Sequence, residues 1–150
     1  MTYKKIFDLF STYTRIQNTE KEYFKKNSSI EFYQKGQTIL EVDQYCNFIL
    51  FINKGFGRYF YINPDGTQST ANFFSEGDFV TDYDSFFNDK KSDGYIEALT
   101  DIEAIKMPEN VLNWFFSEIE NSEKFRLDIT NTYFAIWSKR VEGLFQKDKE

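Results

Sequence analysis

The chain is 150 residues long, enough for one domain with a sizeable core, and it holds 41% hydrophobic and 28% charged residues. Its formal charge of -6 argues against direct nucleic-acid binding, which draws its affinity from Lys and Arg set against phosphates, and against an anionic membrane surface. A single cysteine, Cys46, and no histidine exclude an intrachain disulfide, Cys/His zinc, a multi-thiolate iron–sulfur cluster and a His-based triad.

From the N-terminus, Ile6, Phe10, Tyr13 and Ile16 recur at helical spacing, predicting one amphipathic helix or two short ones across Tyr3 to Phe24. The stretch is too weakly apolar for a signal peptide, and no run approaches the ~20 residues that cross a bilayer. A soluble, cytoplasmic protein is expected. Asn27-Ser28-Ser29 breaks the helical pattern. From Ile30 to Met107 the chain reads as short strands between turns. Ile30 and Phe32 alternate, Lys35-Gly36 turns the chain, and Thr38-Ile39-Leu40 follows. Cys46 opens the apolar run Phe48 to Ile52, which reads as a strand covered on both faces, with Cys46 as a buried thiol. After Lys54-Gly55 comes a return strand, Arg58 to Ile62. Asn63-Pro64-Asp65-Gly66 is a hairpin signal, with Pro presetting the first torsion and Gly taking the left-handed position. Gln68 to Phe74, Tyr95 to Leu99 and Ile102 to Met107 complete the strands. The aromatic fraction of 20% suits such a pleated core.

Pro108 suits the first turn of a helix whose apolar face is Val111, Leu112, Phe115, Phe116 and Ile119. Ser122 is placed to cap a further helix running to about Gln146. There Leu127, Thr130, Phe134, Trp137, Val141 and Leu144 recur with gaps of three and four, the pattern of a helix pairing with another helix. A second stripe, Phe125, Ile129, Tyr133 and Ile136, lies on a neighbouring face. Two apolar faces ask for two partners, the β-domain and the same helix of a second subunit. One broad face packed on the domain is the alternative. The expected organisation is a single domain: N-terminal helices over 1–27, an antiparallel β-roll over 28–107, and C-terminal helices over 108–150.

This order resembles the sensor half of the Crp/Fnr family of bacterial transcriptional regulators, above all its divergent Bacteroidetes-type members. The likeness rests on Phe32-Tyr33-Gln34-Lys35-Gly36, on Phe51 through Arg58, on Asn63-Pro64-Asp65-Gly66, on Phe73 through Phe79 and on Tyr95-Ile96-Glu97-Ala98. It implies a mainly β fold of jelly-roll type, the cyclic-nucleotide-binding roll with flanking helices. It also implies that Gly77-Asp78-Phe79 leads into a phosphate-binding cassette. In the family a helix N-terminus faces the cyclic phosphate, a glycine admits the backbone, a glutamate takes the ribose 2′-hydroxyl and an arginine neutralises the phosphate.

On this sequence the glycine position is Thr81, the glutamate is Asp82, and the arginine falls at or next to Ser92, beside Asp93. No arginine lies between Arg58 and Arg126, and Glu76, Asp78, Asp82, Asp84 and Asp93 make the region acidic. Lys90 and Lys91 either replace the arginine without its two-pronged geometry or belong to a solvated loop. Arg58 either forms a structural ion pair or contacts a ligand. No cofactor is expected, binding of cAMP or cGMP is disfavoured, and a small-molecule effector is the remaining partner. Family members continue into a helix-turn-helix domain, for which the residues up to Glu150 leave no room. The expected function is a Crp/Fnr-type sensor domain without its own DNA-binding module, and not an enzyme, since cupin-like barrels mostly use histidine. A true cyclic-nucleotide binder, or the N-terminal half of a DNA-binding factor, are the alternatives.

Overall fold

The computed structural model describes residues 2–147, with the side chains of residues 133, 136, 137 and 139–147 outside that description. The N-terminal segment forms two helices, α1 (Lys4–Ser11) and α2 (Asn18–Asn27). They separate because α2 has its own start: the Gln17 N–H donates to the Glu20 carboxylate at 2.9 Å, half of a reciprocal capping box. Lys25 and Lys26 in its last turn complement the helix dipole.

Eight strands follow: β1 (Ser29–Tyr33), β2 (Thr38–Leu40), β3 (Phe48–Lys54), β4 (Gly57–Ile62), β5 (Gln68–Phe74), β6 (Phe79–Val80), β7 (Tyr95–Ala98) and β8 (Ile102–Pro108). They form two four-stranded antiparallel sheets, ordered β1-β8-β3-β6 and β2-β7-β4-β5. This is a mainly antiparallel β fold with flanking helices, the jelly-roll type expected from the sequence. β6 was not foreseen. Two residues carry no periodicity, and the strand exists because Phe79 and Val80 pair with Phe51 and Leu50.

β3 explains its unbroken apolar run by sitting between two cores. Ile49 and Phe51 face a cluster with Ile6, Phe10, Phe24, Ile105, Met107, Val111, Phe115 and Phe125, between the sheet and the helices. Phe48, Leu50 and Ile52 point the other way, into the roll, with Leu40, Phe74, Val80, Ile96, Ala98, Ile102 and Ala104. Asn63 to Gly66 turns β4 into β5, with Gly66 at φ +86° and its N–H bonded to the Asn63 carbonyl.

Pro108 ends β8 and is the N-cap of α4 (Glu109–Glu118) rather than a residue inside its first turn. The last helix, α5 (Ser122–Lys147), starts at the expected serine, but the Ser122 hydroxyl donates to the Phe116 carbonyl and ties α5 back to α4. Of its two stripes, the one beginning with Phe125 packs inward, where Phe125 meets the rings of Phe10, Phe79 and Phe115. Tyr13 reinforces the contact by donating to Asp128 at 2.7 Å. The other stripe is more exposed: Leu127 is 54% and Phe134 69% exposed, with Thr130 half-buried. The side chains of Trp137, Val141 and Leu144, and of Tyr133 and Ile136 from the second stripe, lie outside the description. No helix among the described residues is long and apolar enough to cross a membrane.

Candidate functional site

The cassette begins where β5 hands over to β6. Gly77, at φ +90°, makes the turn that a side chain would strain, and the Asp78 carboxylate accepts the Ser75 N–H at 2.7 Å. Reciprocal backbone bonds join this turn to Ile52 of β3, from Gly77 N–H to the Ile52 carbonyl and from Ile52 N–H to the Asp78 carbonyl. Lys5 of α1 pairs with Glu76 and donates to the Asn53 carbonyl at 2.8 Å, so the N-terminal helix braces the same turn.

After β6 the chain enters α3 (Tyr83–Asn88) through Thr81 and Asp82, both buried. The Thr81 hydroxyl turns inward and donates to the Phe48 carbonyl at 2.9 Å, with the Cys46 sulfur 3.3 Å away. Cys46 is itself structural: its N–H donates to the Ser85 hydroxyl, which in turn donates to the Lys90 carbonyl at 2.5 Å. α3 and the loop after it are thereby fastened to the roll.

Asp82 is the centre of the site. One carboxylate oxygen accepts the Ser85 N–H at 3.1 Å and caps α3. The other accepts the Tyr59 hydroxyl at 2.9 Å and the Ser92 hydroxyl at 2.5 Å. Ser92, at the position expected for the phosphate-gripping arginine, is 1% exposed and also accepts the Gly94 N–H at 3.2 Å. Burial, and after it the negative charge of Asp82, push the Tyr59 hydroxyl pKa far above its ordinary value of 10, so Tyr59 acts as a fixed donor. Gly94 is needed for this arrangement, because a Cβ there would stand 2.6 Å from the Tyr59 ring.

In front of Asp82 opens a cavity of about 630 Å³. Tyr59 and Tyr61 of β4 and Ala71 and Asn72 of β5 form one wall, Phe79 to Asp84 a second, and Thr130 and Phe134 of α5 a third. Lys91 and Asp93 close its rim. Of the residues predicted from sequence, Phe79, Thr81, Asp82 and Asp93 line the cavity. Gly77 and Asp78 shape the turn behind it, and Ser92 supports Asp82 from within. Lys91 reaches the lining, whereas Lys90 lies beside Asp84 at 3.8 Å with both side chains mostly exposed. Arg58 is structural: it pairs with Glu97 at 3.3 Å, donates to Thr70 and Gln68, and stacks 4.0 Å over the Phe60 ring.

Sequence reasoning missed Tyr59, Tyr61, Asn72 and Gly94. The tyrosines were within reach, because residues two apart on a strand share a face, and these rings meet edge to face at 5.2 Å. Gly94 gave no signal, since its role depends on a ring 35 positions earlier in the chain.

Among solved structures the chain is similar to the c-di-GMP-responsive global regulator CLP of Xanthomonas campestris, at 15% identity and a TM-score of 0.65, covering 89% of this chain and 63% of that one. It is also similar to an Eubacterium rectale protein described as a transcriptional regulator of the Crp/Fnr family, at 16% identity and a TM-score of 0.72, covering 88% and 62%. A transcriptional regulator of Thermotoga maritima aligns at 12% identity and a TM-score of 0.69, over 82% of this chain and 95% of that one. The chain thus spans less than two thirds of the first two, and identities this low speak for the fold. No curated protein matches the sequence. The family model of the cyclic nucleotide-binding domain matches residues 30–118, more than half of the chain and the whole cassette with its flanking strands, and the chain belongs to that family.

Proposed function

We propose that the chain is the effector-sensing domain of a Crp/Fnr-type regulator whose cavity takes a small molecule other than cAMP or cGMP. The family and fold are those of regulatory cyclic-nucleotide-binding domains rather than of enzymes. One observation carries the finer reading: the carboxylate of Asp82 already occupies the N-terminus of the cassette helix and takes up the hydroxyl of Ser92, at or next to the position of the family's arginine. An incoming phosphate would meet Asp82, Asp84 and Asp93 on the cavity wall. Like charges repel, and more strongly where water is partly excluded.

The same reading makes the outward face of α5 the seam of a homodimer. Leu127 and Phe134 lie on it as exposed apolar side chains of a single chain, and Phe134 also lines the cavity. Effector occupancy and pairing would then share a residue.

Thermal melting of the purified chain with cAMP, cGMP and a panel of small metabolites tests the assignment. A ligand at a hundred times its dissociation constant adds about 2.7 kcal/mol of stability, which raises the Tm by roughly 5–10 °C at this size. The expected outcome is a shift with a non-nucleotide and none with either cyclic nucleotide. A shift of that size with cAMP or cGMP would reject the proposal.

A further inference from the structure

We infer that the cavity selects an organic monocation: an ammonium group carried on an aromatic or apolar body. The inference rests on the reading of this cavity as an effector site and names the class of effector.

The walls supply two kinds of complementarity. Tyr59, Tyr61, Phe79, Tyr83 and Phe134 surround the space with aromatic rings, and its volume of about 630 Å³ is that of a pocket for a drug-sized molecule. Aromatic faces attract a cation through the ring quadrupole, most strongly for an ammonium already shed of water. Among the described lining residues three carboxylates, Asp82, Asp84 and Asp93, stand against one ammonium, Lys91.

The three carboxylates do different things. Asp82 is buried and holds Tyr59, Ser92 and the α3 amide, so it contributes a fixed negative field from the cavity floor. Asp84 and Asp93 are exposed at the rim, where their side chains can meet a ligand. The Asp84 carboxylate accepts the Asn88 side-chain amide at 2.5 Å and lies 3.8 Å from the exposed Lys90 ammonium, which offsets its charge in part. A phosphate or carboxylate ligand would be opposed by this field. A neutral ring would gain the apolar contact alone. A ring bearing an ammonium gains both.

Calorimetric titration of the full chain with four probes of similar size tests the selection: benzyltrimethylammonium, 2-phenylethylamine, neutral 2-phenylethanol and anionic 3-phenylpropionate. Both cations should bind at least about tenfold tighter than the alcohol, with no detectable binding of the acid. D84N and D93N change exposed side chains and leave the fold intact. Each should weaken the cations by roughly three- to tenfold and leave 2-phenylethanol unchanged. Equal affinity for alcohol and cations, no binding of the cations at millimolar concentration, or cation affinity indifferent to both substitutions would overturn the inference. Titration of cAMP in the same series separates the two proposals. Nucleotide binding overturns the sensor reading above, whereas a lack of cation preference without nucleotide binding overturns this one alone.

Discussion

Asp82 joins three donors from three places in the chain: Tyr59 on β4, the Ser85 amide on α3 and Ser92 in the loop before β7. Replacing it leaves α3 uncapped and the half-buried Tyr59 hydroxyl without its acceptor, while the Ser92 hydroxyl keeps the Gly94 carbonyl at 2.9 Å. Each of those two losses costs on the order of 1 kcal/mol, so D82A is expected to lower stability by about 2 kcal/mol in urea unfolding. D84A, two residues away but exposed, should change it by less than about 0.5 kcal/mol. The tyrosines add a pH signature. Burial raises the Tyr33 hydroxyl to about 12, with Glu31 adding to the effect, and Tyr59 rises further for the reasons given above. A raised pKa favours the neutral phenol in the fold, so the stability it contributes is complete below the unfolded value near 10 and drains away as pH climbs towards the folded values. The urea midpoint should therefore be flat from pH 8 to 9.5 and fall steeply between roughly pH 10 and 12. Y59F should make that fall shallower.

In α5 the inward packing and the proposed pairing are separable by face. Phe125 is 4% exposed and sits among Phe10, Phe79 and Phe115, so F125A leaves a cavity and should cost about 3–5 kcal/mol. Phe134, 69% exposed, touches far less of its own chain. F134E is expected to keep the fold and thermal stability of the single chain while shifting sedimentation towards monomer. A dimer unaffected by F134E would remove the outward face from the interface. The element scale is also where the sequence was most legible. Alternation and turn residues located β1 to β5, β7 and β8 to within about two residues, because each strand buries a face and the turns at Gly36, Gly55 and Gly66 hold a glycine at positive φ. β6 was invisible, since its existence depends on pairing with Leu50 and Phe51 rather than on a pattern of its own. The division of the N-terminal helices is hard to read for a similar reason: the Gln17–Glu20 cap that separates them is a weak signal beside a continuous apolar spacing.

In the whole molecule, two cores share β3, and the cassette is attached to both. Its turn hangs on Ile52 and is braced by Lys5, while Phe79 packs between Phe51 and Phe125. A ligand held between β4, α3 and α5 would therefore press on the helical layer and the roll together. Thr81 and Asp82, which the resemblance places in the cassette, stand on the wall of the cavity. Its chemistry was less legible. Ser92 could be read as a missing arginine, but not as the partner of Asp82, since that bond depends on how the loop folds back over β4.

The most direct test of the account is the affinity of the intact chain for cAMP, measured by isothermal titration calorimetry at physiological salt. A cradle filled by its own carboxylate predicts no saturable heat at millimolar nucleotide. A one-to-one isotherm with a micromolar Kd, about -8 kcal/mol of binding free energy, would contradict it.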